Sequence, residues 1–143
     1  MPDTDHLATT AQQHTPNDSS QKDYFSVRNG VRFAGVHLII DCYEAERLDD
    51  IDFIEQTLIR CISASNATLI NIHLHHFHPN GVSGVAVLAE SHISVHTWPE
   101  SNYAAFDVFM CGNTQPEACI EIMQEAFKPS RLTVNEHLRG AGL

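Results

Sequence analysis

Residues 81–112 read GVSGVAVLAESHISVHTWPESNYAAFDVFMCG, and they hold the side chains that chemistry requires. Glu90-Ser91-His92 lies between two apolar, β-prone runs, and His96, Glu100 and Cys111 follow closely in the chain. A hydroxyl nucleophile, an imidazole, a carboxylate and a thiol in so short a window point to acyl chemistry. Each residue also has an ordinary use. Ser91 and Ser83 suit turns, and His96 suits cross-strand packing. Cys111 can be a small buried hydrophobe, Glu100 a solvated loop carboxylate and Phe77 a core aromatic.

The elements that must position these groups follow from periodicity. Phe33–Cys42 reads as a buried first strand. Asp49 and Asp50 can cap the next element, where Ile51, Ile54, Leu58 and Ile62 recur at helical spacing, giving an amphipathic helix over about residues 50–65 that Asn66 ends. Thr68–Phe77 alternates and reads as a strand, and His78-Pro79-Asn80-Gly81 is a turn. Gly84–Ala89, Ile93–Trp98 and Tyr103–Met110 are further strands. Pro116 suits a helix start, Ile120, Met123 and Phe127 mark a second helix, and Arg131–Asn135 closes as a short strand. The order β-α-β-β-β-β-α-β predicts an α+β two-layer sandwich, an antiparallel sheet with two helices on one face. Strands such as VAVLA are apolar on both sides, so the second face needs a cover, and a homodimer packing sheet on sheet provides one.

Composition narrows the function. A chain of 143 residues fits one domain, here residues 27–143, preceded by a polar tail over residues 1–26 that reads as disordered. That N-terminus has neither the basic region nor the apolar segment of a secretory signal, and no apolar run approaches a membrane span, so a cytoplasmic location is expected, with no membrane partner. The net charge of −10 argues against nucleic acid, which needs a clustered basic footprint. Cys42, Cys61, Cys111 and Cys119 lack zinc-type spacing and read as free thiols. Alternation puts His73 and His75 on one strand face, but no third ligand accompanies them, so no metal is expected.

Gly-Val-Ser-Gly-Val, Glu-Ser-His, His-Thr-Trp-Pro-Glu, Tyr-Ala-Ala and Asp-Val-Phe-x-Cys-Gly appear in order between Gly81 and Gly112, and Glu136-His137 and Arg139-Gly140 follow. In these motifs the chain resembles the prokaryotic S-adenosylmethionine decarboxylases over roughly residues 33–140. The resemblance implies a proenzyme that cuts itself between Glu90 and Ser91 and turns Ser91 into a covalent pyruvoyl cofactor. The Ser91 hydroxyl would attack the carbonyl of Glu90, with Ser83 assisting by hydrogen bonding and His96 as the base. A strand–turn–strand unit suits this, because it can hold a strained peptide. Cys111, in the matching Cys-Gly pair, would return a proton to the substrate carbon after carbon dioxide leaves. Glu100 would bind the ribose hydroxyls and Phe77 would stack near the adenine and the sulfonium.

The implied activity converts S-adenosylmethionine to the decarboxylated aminopropyl donor of spermidine biosynthesis. The only lysines, Lys22 and Lys128, sit on no obvious core element, so a pyridoxal phosphate enzyme is disfavoured, and a carbonyl made from the backbone removes that need. Two rivals stand beside this reading. One is a pyruvoyl-dependent arginine or ornithine decarboxylase of the same fold; the other is a non-catalytic regulatory homologue.

Overall fold

A computed structural model describes residues 25–143. The tail reading for residues 1–26 falls, except for its last two residues, outside the described residues. The domain begins earlier than Phe33, with a small hairpin of β1 (Ser26–Arg28) and β2 (Val31–Phe33). Asn29-Gly30 makes its two-residue turn, with φ of 52° and 79°. This is the residue pair such turns favour, because both central positions need φ above zero.

The main sheet has six strands. They are β3 (Gly35–Tyr43), β4 (Leu69–His76), β5 (Val82–Leu88), β6 (Ser91–Trp98), β7 (Tyr103–Met110) and β8 (Arg131–Arg139). Their spatial order is β4-β5-β6-β7-β3-β8, and every neighbouring pair is antiparallel. The helices are α1 (Ile51–Ala64), after β3, and α2 (Ala118–Phe127), after β7. The expected α+β two-layer sandwich is therefore the observed one. The last strand extends to Arg139, because its partner β3 is long enough to pair with nine of its residues.

Alternation decides what the sheet buries. In β3, Val36, Leu38, Ile40 and Cys42 face the helices, and in β6 Ile93 and Val95 do the same. They meet Ile54, Leu58, Cys61 and Ile62 of α1 and Met123 and Phe127 of α2 in one core. Full burial of each such aliphatic or aromatic side chain contributes about 1.5–3 kcal/mol. Within that core Cys42 is pushed up to about 12, mainly by burial, so it is an inert thiol.

Asp50 and Asp49 divide the work that the sequence allotted to both. Asp50 caps α1 by accepting from the Phe53 N–H, an interaction typically worth about 1 kcal/mol. Asp49 turns the other way and accepts from Gly81 N–H and from His76 Nε2, each at 2.8 Å. These bonds, led by the Gly81 N–H, hold its carboxyl below the usual carboxylate range. Thr97 is buried beside them; it donates to Leu48 O at 2.7 Å and accepts from Val82 N–H at 2.9 Å. The loop before α1 is thus stitched to the turn that carries Phe77 and leads into β5.

The sheet face away from the helices is less apolar than expected. Val85 and Val87 stand 39% and 44% exposed on β5, as the VAVLA run foretells. Beside Ile39, Ala105 and Phe109, that face carries His37 and Asp41 on β3, His92, Ser94, His96 and Trp98 on β6, and Tyr103 and Asp107 on β7. Among the described residues, no helix is long and apolar enough to cross a membrane.

Candidate active site

Leu88 pairs with Ser91, so Ala89-Glu90 forms the two-residue turn between β5 and β6. Glu90 has φ 61°, the left-handed region that L-residues enter at a cost of about 1–2 kcal/mol. The Glu90–Ser91 peptide therefore sits at a strained, tight turn at one end of the sheet. Cys111 directly follows β7 and reaches it. Its N–H donates to Ser91 Oγ at 3.2 Å, and its thiol donates to the carbonyl oxygen of Glu90 at 3.1 Å. A donor on that carbonyl polarises it toward attack and receives the charge that attack creates. Burial pushes the Cys111 thiol above the ordinary cysteine value, which keeps its proton on at neutral pH. Ser91 is 8% exposed. A cavity of about 230 Å³ adjoins this end, between Ser26–Arg28 of the hairpin and Met110, Gly112 and Thr114 beside the thiol.

Ser83 and His96 are cross-strand partners on β5 and β6, and Ser83 Oγ lies 2.8 Å from His96 Nδ1. They do not approach Ser91 within the chain. Five residues of strand separate His96 from Ser91, roughly 16 Å at about 3.3 Å per residue, and an odd separation puts the two on opposite faces. The expectation that nearness in sequence would bring this imidazole to the serine fails on strand geometry. Among the described residues, Ser91 Oγ bonds to no imidazole or carboxylate.

Phe77 and Glu100 lie at the same end as His96. Phe77 follows β4, 47% exposed, with its ring centroid 4.6 Å from that of His75. Glu100 is exposed in the 3₁₀ turn Pro99–Ser101. Trp98 stacks on Tyr103 with centroids 5.3 Å apart beside them. The Tyr103 hydroxyl donates to Asp41, which, with burial, pushes it up to about 12. A second concavity, about 760 Å³, is lined here by Leu48, Asp49, His76 and Pro99 among others. The structure therefore sorts the predicted residues into two groups. Glu90, Ser91 and Cys111 stand at one end of the sheet; Ser83, His96, Phe77 and Glu100 stand at the other.

Residues 36–140 match the S-adenosylmethionine decarboxylase family. The chain belongs to that family. Its relatives include a protein named S-adenosylmethionine decarboxylase proenzyme from Thermomicrobium roseum, 44% identical over 108 residues, which cover 74% of this chain and 93% of that one. A second proenzyme of that name, from Methanococcus maripaludis, is 47% identical over 109 residues, covering 74% and 89%. Among solved structures, the adenosylmethionine decarboxylase from Aquifex aeolicus superposes with a TM-score of 0.68 at 33% identity, covering 74% of this chain and 90% of that one. The β1–β2 hairpin lies before the first residue that the family match covers. Lys128 follows α2 as its C-cap, and Lys22 lies outside the described residues.

Sequence reasoning missed one group. Asp107 Oδ1 lies 2.9 Å from both His37 Nε2 and His92 Nε2, on the open face behind Ser91. These three offer ligand atoms within 4.8 Å of one another, the spacing of a metal site. Their hydrogen bonds argue against that use. Arg139 Nη1, which only donates, sits 2.9 Å from His37 Nδ1. The imidazole proton therefore lies on Nε2, facing the carboxylate, where a metal would need a lone pair. The signal was visible as His37 and Asp107 interrupting apolar strands, but only register shows that they meet.

Proposed function

We propose that this chain is a self-cleaving proenzyme that matures into an S-adenosylmethionine decarboxylase, releasing carbon dioxide and the aminopropyl donor for spermidine synthesis. The observation that carries it is the turn at Glu90–Ser91, a strained peptide whose carbonyl oxygen already holds the Cys111 thiol. The Ser91 hydroxyl attacks that carbonyl, and the acyl group moves from nitrogen to oxygen. Loss of the α-proton of residue 91 then expels the carboxylate of Glu90. The dehydroalanine left at position 91 takes up water and loses ammonia to become a pyruvoyl group. That group supplies a carbonyl that condenses with a substrate amine and accepts the electrons freed with carbon dioxide. The names of the relatives favour S-adenosylmethionine over arginine or ornithine, and Ser91, His96 and Cys111 together are more than a regulator requires. Phe77 offers an aromatic face to the sulfonium, and Glu100 offers two carboxylate oxygens to the ribose hydroxyls.

The missing base is supplied by assembly. A two-fold axis across the strands lays the open face of one sheet on that of a partner, so that opposite ends of the two sheets meet. The strand ends that carry Ser91 and Cys111 in one chain then stand beside the ends that carry Ser83, His96, Phe77 and Glu100 in the other. A homodimer thus completes each site and covers Val85 and Val87.

Intact-mass spectrometry of the purified chain is expected to give two fragments, 1–90 and 91–143, the second blocked by pyruvoyl. Carbon dioxide release is expected from S-adenosylmethionine and not from arginine or ornithine. A fully active, uncleaved chain would refute self-processing. Complementation tests the dimer. His96→Ala alone should remain uncut, but co-expressed with Ser91→Ala it should be cut in mixed dimers, where its intact Ser91 meets the other chain's His96. A stable monomer in sedimentation at micromolar concentration, or no rescue in proven mixed dimers, contradicts the arrangement.

A further inference from the structure

On the open face directly behind Ser91, Asp107 gathers donors from both neighbouring strands. His92 Nε2 and Ser94 Oγ of β6 and His37 Nε2 of β3 all bond its carboxylate. Arg139 of β8 extends the chain of contacts through His37. Phe109 fills the row between the two imidazoles, with its centroid 5.6 Å from each. Gly35 leaves room for that ring, since a Cβ there would stand 2.8 Å from it. Four strands, β6, β7, β3 and β8, are tied together at the end of the sheet where the chain is to be cut.

We propose that Asp107 is a positioning residue that acts through His92 to hold the new chain end in register with Cys111. This rests on the reading that the chain is cut before Ser91. Until cleavage, residue 91 is held covalently on both sides, by the turn before it and the strand after it. Cleavage removes the turn. Residue 91 is then tethered through the single peptide bond to His92, at a strand end, where local opening is easiest. The His92 ring, bonded to Asp107 on the opposite face, fixes the plane of that peptide. The reacting carbonyl and the Cys111 thiol keep their relation only if that plane is fixed, and a misplacement of about 1 Å can cost ~10²-fold in rate. Asp107 has no comparable task before the cut, because the intact turn holds the peptide.

Cleavage and turnover should therefore separate. In full-length Asp107→Ala and His92→Ala, cleavage between Glu90 and Ser91 is expected to proceed, with KM little changed. The kcat should fall by about tenfold or more, within the range that misplacement produces. Asp107→Asn should recover most of that loss, because its amide oxygen can accept from both imidazoles and its NH₂ can face the Ser94 hydroxyl. A merely structural role would lower cleavage, kcat and melting temperature together, and that result overturns the inference. So does an Asp107→Asn as impaired as Asp107→Ala, or a kcat that neither alanine variant changes. If the unaltered chain is not cut at all, it is the function reading that fails. If it is cut and active while both alanine variants match it, this inference alone fails.

Discussion

Ser91→Ala should remain one uncut chain and release no carbon dioxide. The variant keeps the strained turn, the Cys111 thiol on Glu90 O and the whole core, and loses one hydroxyl. In the proposed self-cleavage that hydroxyl is both the nucleophile that opens the peptide and the atom through which Glu90 leaves. Without it the acyl group cannot move to oxygen, no dehydroalanine forms, and the carbonyl that catalysis requires never exists. The expected loss is the whole rate enhancement, ~10⁶-fold or more. Folding should change little. Among the described residues the Ser91 hydroxyl bonds only Cys111, through its N–H and its thiol, and each such bond contributes about 1 kcal/mol. Intact mass, a melting curve and a carbon dioxide assay on the same preparation separate the outcomes. A folded, uncut chain that still turns substrate over would sink both the cofactor and its origin.

The sequence showed the layers of this fold because its apolar residues repeat with the right periods. Leu38, Ile40 and Cys42 alternate on β3, and Ile54, Leu58 and Ile62 recur on α1. The hairpin at Ser26–Phe33 was legible too, since Asn29-Gly30 between Val27 and Val31 is a strong two-residue turn signal. It was lost to the polar composition of the tail beside it. The site was legible in its residues and not in their grouping. Parity alone sets Ser91 and His96 on opposite faces, five residues apart on one strand, yet closeness in sequence invites the opposite conclusion. What periodicity cannot show is which strands become neighbours. Strand β3 lies between β7 and β8, far from both in sequence, and only that order brings His37 to Asp107. Asp49 is a similar case: next to the helix cap in sequence, it spends its carboxylate on a turn more than thirty residues away.

Cys111→Ser and Cys111→Ala should part company, and the difference tests the two tasks of this side chain. In the uncut chain the thiol donates to the carbonyl of Glu90. A serine hydroxyl can make the same bond, so Cys111→Ser should still be cleaved, at least in part, whereas Cys111→Ala loses the donor and should cut more slowly. Losing one such donor to a developing oxyanion typically costs about 10²–10³-fold. In the proposed mature enzyme Cys111 would have a different task, delivering a proton to the substrate carbon that carbon dioxide has left. A thiol that burial keeps protonated at neutral pH, yet far more acidic than an alcohol, suits that step. Serine is too weak an acid to replace it, so Cys111→Ser should turn over slowly, by about 10²–10⁴-fold. It should also die faster. A proton delivered to the chain-end carbon instead would leave the substrate nitrogen on the protein as an alanyl terminus, while water would release the substrate carbon as an aldehyde. The smaller fragment then becomes open to stepwise N-terminal degradation, which a pyruvoyl end blocks. His96→Ala should stall before any of this, at the ester or the uncut chain, and show no alanyl end. A Cys111→Ser enzyme with full turnover and an undiminished lifetime would remove Cys111 from the role of proton donor.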